Sequence, residues 1–169
     1  MKKGFLALAC AVGFVFSSQA VLIHWDTEEV ESDAASAMLV YYTTDPGESG
    51  LFDANRQITG TSYQQSPFDA TIAYEQGYNT DVGSSAPNTG VWYLVLLDST
   101  GDNYKAVSMN ASAVTYYTGD ISQPQVLVDG GMGTVTMPTA WTPTPEPCSV
   151  ALLLLGAAAM ATRRKKLIA

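Results

Sequence analysis

The side chains with the most chemical potential in this 169-residue chain are its carboxylates. Asp98, Asp102 and Asn103 stand within the stretch Asp98-Ser99-Thr100-Gly101-Asp102-Asn103, built of turn-forming residues. Hard oxygen ligands at such loop spacing suit calcium, which takes about six to eight oxygens. Asp53 and Asn55 offer a smaller version of the same pattern. Asp and Asn also occupy turns because their side chains bond the backbone two residues on. Calcium ligands or turn-formers are therefore both open readings of Asp98, Asp102 and Asn103, and neither stretch is an EF-hand. Calcium apart, the residues imply no cofactor.

The single histidine, His24, is the one base on which a Ser-His-Asp arrangement has to be built, and a histidine-rich zinc site is impossible. It follows Ile23 in an apolar run, the setting of a strand histidine packed for structure. No G-x-S-x-G, C-x-x-C or phosphate-loop motif occurs. A carboxylate-only glycosidase needs two acids that can stand anywhere in sequence. With 16 acidic residues a close pair arises by chance, so the chain reads as a non-enzyme. Trp92, Tyr93, Tyr104, Tyr116, Tyr117 and Trp141 have the flat faces that stack on sugars, and equally the bulk that fills a β-sheet core.

All sixteen acids but only two of the eight cations, Arg56 and Lys105, lie between residues 21 and 147, a net charge near −14. Phosphate binding needs clustered cations, so nucleic acid is excluded as a partner. Anionic polymers are repelled, while neutral glycans and divalent cations remain admissible. Both cysteines, Cys10 and Cys148, stand in or beside the terminal segments, leaving the 127 residues between without a disulfide. That length suits one domain.

The elements that must position these groups read as strands. Val21 to Trp25 is a short apolar run, followed by the acids Asp26, Glu28, Glu29, Glu31 and Asp33 as a solvated loop. Ala37 to Thr44 is rich in strand formers and ends at Asp45-Pro46-Gly47, with a helix over Ser32 to Leu39 as the competing reading. Residues 48–68 and 77–90 read as loops, and the alternation in Asp69 to Tyr74 predicts a strand. Val91 to Leu97 (VWYLVLL) predicts a central strand, hairpinned to Tyr104–Met109 through the turn at 98–103. Val114–Thr118, Gln125–Val128 and Thr134–Met137 are further strand candidates. Short strands separated by turn signals predict an all-β fold, a small antiparallel β-sandwich or partly closed barrel over residues 21–137. Pro138 to Pro147 carries four prolines, the composition of a stiff, extended spacer holding the domain off a membrane.

The flanks carry addresses. Met1-Lys2-Lys3, the apolar stretch Gly4 to Phe16 and Ser17-Ser18-Gln19-Ala20 form the charged, apolar and small-residue regions of a secretory signal peptide cut after Ala20. At the other end Pro145-Glu146-Pro147 precedes an uncharged run from Cys148 to Thr162 and the basic block Arg163-Arg164-Lys165-Lys166. Such a run followed by cations reads as a membrane helix with a cytoplasmic stop. Its 15 residues cover about 22 Å of a roughly 30 Å hydrocarbon core, so Arg163 and Arg164 must snorkel for it to span.

This order of Pro-Glu-Pro, Leu/Ala-rich helix, basic cluster and chain end resembles the PEP-CTERM sorting signal of Gram-negative bacteria, over residues 145 to about 166. The resemblance implies that an exosortase-like enzyme of the inner membrane cuts the tail near the motif. The chain is then an inner-membrane intermediate with its C-terminus cytoplasmic, later released to the cell surface or the exopolysaccharide matrix. The role expected there is structural or interactive. A glycan- or calcium-binding β-module is the alternative, and a small polysaccharide hydrolase a third.

Overall fold

The computed structural model describes residues 20–65, 67–119 and 131–146. The expected signal segment up to residue 19, the strand expected at Gln125–Val128, Pro147 and the tail with Arg163, Arg164, Lys165 and Lys166 lie outside the described residues.

Among the described residues the chain is all-β. Its strands are β1 (Ala20–Thr27), β2 (Ala34–Tyr42), β3 (Thr61–Gln65), β4 (Tyr78–Asp81), β5 (Val91–Asp98), β6 (Asn103–Asn110), β7 (Tyr117–Gly119), β8 (Gly133–Val135) and β9 (Thr142–Pro143), with one short helix, α1 (Ala70–Glu75), between β3 and β4. One antiparallel sheet runs β3-β2-β5-β6-β9. The other places β1 between β4 and β7, both antiparallel to it, while β8 pairs in parallel with the later half of β1.

β5 organises the larger sheet. Its unbroken apolar sequence suits a strand buried on both faces. Leu94 lies between Leu39 of β2 and Val107 of β6. Trp92, Leu94 and Leu96 share a core with Val21, Ile23 and Trp25 of β1, so the two sheets enclose one apolar interior. Tyr93 and Val95 belong to a second cluster with Val40, Tyr42, Leu51, Phe52 and Tyr104. The loop between β2 and β3 covers that outer face with Leu51 and Phe52, and Tyr42 donates its hydroxyl to the Leu51 carbonyl at 3.1 Å. A polar tie crosses the margin of the sheets: Trp25 Nε1 donates to Thr80 Oγ1 at 2.8 Å, and that hydroxyl donates to Gln65 Oε1 at 3.2 Å.

Three expectations are corrected. Asp69–Tyr74 contains no strand: Asp69 caps helix α1, its carboxylate accepting from Thr71 N at 2.9 Å. Gly77, at φ +66, takes the left-handed conformation that ends helices, donating its N–H to the Ile72 carbonyl at 2.9 Å. The alternating apolar residues Ile72 and Tyr74 are exposed, and Ala73 is the buried one. The two expected loops contain β3 and β4. β3 is a polar edge strand, and in β4 Tyr78 and Thr80 turn inward while Asn79 and Asp81 do not. The helix considered over Ser32 to Leu39 gives way to β2, whose register with β5 runs from Ala34 to Tyr42 with one irregularity at Ala34/Ser36.

Candidate functional site

Asp98, Asp102 and Asn103 stand together where β5 turns into β6, and each is occupied. Asp98 Oδ1 accepts from Thr100 N at 3.1 Å, Thr100 Oγ1 at 2.9 Å and Asp102 N at 3.1 Å. Asp98 Oδ2 accepts from Asn103 Nδ2 at 2.6 Å. The Asn103 bond, with those from the turn, holds the Asp98 carboxyl down at about pKa 2. Asp102 pairs with the Arg56 guanidinium. Asp53 closes a similar turn, its Oδ1 accepting from Asn55 N at 2.8 Å and Gln57 N at 2.9 Å. No group of three or more His, Cys, Asp or Glu poised for a metal occurs among the described residues.

That second turn matters for the residue inside it. Arg56 has φ +64, unusual for a side chain with a Cβ. Besides pairing with Asp102 it donates Nε to the carbonyl of Pro145 at 3.1 Å. The segment expected as a free spacer lies along the domain here. β9 pairs with β6, placing Pro143 opposite Asn103 and Thr142 opposite Tyr104. Thr144 is buried, with its N–H on the Asp102 carbonyl at 2.8 Å and its hydroxyl 3.2 and 3.0 Å from the carbonyls of Gly101 and Asp102. Pro145 and Glu146 follow directly, so the described part of the Pro-Glu-Pro motif leaves the domain beside Arg56.

At the other end of β9, half-buried Trp141 lines two adjoining open clefts. The larger, of about 550 Å³, lies between Ser32, Asp33, Asp98, Ser99, Asn103 and Trp141. The smaller, of about 310 Å³, adds Glu29, Glu31, Lys105 and Pro138. Lys105 Nζ sits 2.6 Å from Glu31 Oε2, with both side chains almost wholly buried, and 5.2 Å from the centre of the Trp141 ring. This contact joins the acidic loop after β1, strand β6 and the segment leading to β9. The sequence named Trp141 among six aromatics without distinguishing it. Three of those, Trp92, Tyr93 and Tyr104, are core residues. Tyr116 receives Trp92 Nε1 at 2.7 Å and donates to the Pro87 carbonyl at 2.6 Å. Asp33 was read as one of several solvated acids, and it is the loop geometry after β1 that brings it opposite Trp141.

His24 is 2 % exposed. Its Nδ1 donates to Asn79 Oδ1 at 3.0 Å across the β1–β4 pairing, and Gly77 packs so closely that a Cβ there would stand 2.8 Å from the imidazole. No helix among the described residues is long and apolar enough to cross a membrane. Comparison with protein-family models, curated proteins and solved structures finds no significant match to the chain.

Proposed function

We propose that this chain is an exported protein, delivered to the cell surface or the exopolysaccharide matrix by a C-terminal sorting segment that an exosortase-like enzyme removes. The β-domain is the cargo, acting there by binding or structure rather than by turnover. The observation that carries this reading is the fixed order of Pro145-Glu146-Pro147, the uncharged run and the basic block Arg163 to Lys166. An amino-terminal stretch of secretory type supports it from the other end. The placement of the strands is compatible with both cuts. Removal up to Ala20 takes one residue from β1 and its pairing with Gly119, and a cut near the Pro-Glu-Pro motif falls beyond β9.

Intact-mass spectrometry of surface material tests the reading. The expected species begins at Val21 and lacks the apolar tail, and the second loss disappears when the processing enzyme is deleted. Surface-exposed protein whose mass runs through Ala169 would refute it.

A further inference from the structure

We propose that the paired cleft at Trp141 is a binding site for a neutral hexopyranose polysaccharide, with the Trp141 ring as stacking platform and Asp33 as principal hydrogen-bond acceptor. Their volumes, about 550 and 310 Å³, fall in the roughly 300–1,000 Å³ range of small-ligand sites. Because they adjoin at Trp141, Ser32 and Asp33, they offer one trough for consecutive units of a chain.

The chemistry of the walls selects the ligand. Carboxylates and hydroxyls dominate the larger cleft, and the neighbouring cation, Lys105, is already held by Glu31. An anion therefore meets repulsion without a partner. A wholly apolar ligand would strip water from these acids with no return. A pyranose presents one C–H face for the indole and a rim of O–H donors for the acids, which matches an aromatic flanked by acceptors. Asp33 is exposed and makes no hydrogen bond or ion pair among the described residues, so both of its oxygens are available to neighbouring hydroxyls. Asp98 Oδ2 has accepted one bond and has capacity left. Lys105 and Glu31 are positioning residues: by bracing the indole and the acidic loop they keep the trough formed before the ligand arrives.

This rests on the proposed export in one respect, that the domain meets polysaccharide outside the cell. The test does not depend on processing. The full-length chain, held in a detergent without a sugar headgroup, is titrated with cellohexaose, laminarihexaose, mannohexaose and maltohexaose. Chitosan hexamer and an alginate oligomer are the cationic and anionic comparisons. Trp25 and Trp92 are both 0 % exposed, so a change in tryptophan emission reports on Trp141. The expected result is saturable binding of at least one neutral hexaose, accompanied by that change and insensitive to sodium chloride. Trp141→Ala should weaken it about tenfold or more, the loss typical of an aromatic anchor, and Trp141→Phe should restore most of it. Asp33→Ala should weaken it about tenfold or more, the scale of a hydrogen bond to a charged acceptor, with the melting temperature unchanged because the side chain has no other partner among the described residues. Binding confined to chitosan and lost with salt would overturn the proposal. So would no binding to any neutral hexaose, or binding that ignores both Trp141→Ala and Asp33→Ala. A sorting failure appears separately, as an intact tail in the mass spectrum, whatever the titration gives.

Discussion

Truncating Leu94 to alanine tests the double burial of β5 at its centre. The side chain is 0 % exposed and sits in the interior that both sheets enclose, with Leu39 and Val107 as cross-strand neighbours. Three carbon groups are lost, about 2.4 kcal/mol at roughly 0.8 per group. The backbone on both sides is held by ladder hydrogen bonds, so collapse is incomplete. A residual void of about 50 Å³ adds about 1.2 kcal/mol at about 24 cal/mol per Å³. The expected cost is about 3 to 4 kcal/mol, a large share of the roughly 5–15 kcal/mol that holds an ordinary domain folded. Val95→Ala, on the opposite face and in the second cluster, loses two carbon groups and should cost about 2 kcal/mol. Ile72→Ala, on exposed α1, should fall within about 0.5 kcal/mol of zero. Urea denaturation followed by tryptophan fluorescence gives all three values, provided the slope with denaturant is shared. A Leu94→Ala cost below about 1 kcal/mol, at unchanged slope, would refute a shared core. A cost at Ile72 matching that at Val95 would refute the helical, exposed placement of 70–75.

Three further outcomes follow from the ionised groups. Asp98 is held at about pKa 2, below the usual carboxylate value of about 3.9. Its contribution is therefore complete above about pH 4 and lost as pH falls from there through about 2; acid unfolding of Asp98→Asn should lack that component. Arg56→Gln should release Pro145 and speed amide exchange at Thr144 in hydrogen-exchange mass spectrometry while leaving β5 exchange unchanged, whereas equal acceleration in both would make Arg56 a general stabiliser. With Asp98 Oδ1 accepting three bonds from the turn and Asp102 Oδ1 paired with Arg56, calcium and magnesium should raise the melting temperature equally, through screening of a strongly acidic surface. A calcium-specific excess that Asp102→Asn abolishes would reverse that expectation.

Hydrophobic period carries tertiary information where a strand is central, and little where it lies at an edge. β5 was legible because a strand covered on both faces has to be apolar at every position. β2 and β6 followed from their own strand formers and the turn signals beside them. β3, sequence TSYQQ, was invisible because it borders β2 and leaves most of its side chains in water. α1 was misread for a different reason. Its alternation counted for more than the capping Asp69 and terminating Gly77, which bracket the segment as helix signals do. The turn at 98–103 was legible as a turn; Asp98 and Asn103 bond within it, while the pairing of Asp102 with Arg56, 46 residues away, left no local signal. The Trp141 cleft was not legible: its walls come from residues near 33, 98–105 and 138–141, and no local pattern records that the β6–β9 pairing brings them together.

The seating of Thr144 sets a length. From that buried residue to Cys148 there are four Cα steps, at most about 14 Å of chain at roughly 3.6 Å each. A domain of this size has a radius of gyration of about 14 Å, so on the proposed route the cargo is leashed by less than its own width. Before the tail is cut, the β9 end on that route has no room to swing clear of the lipid headgroups. A trough whose Trp141 stands four residues upstream of Pro145 would have little clearance there for a long polymer. If both proposals hold, the leash sets an order: release from the membrane would come first, and uptake of the polysaccharide afterwards.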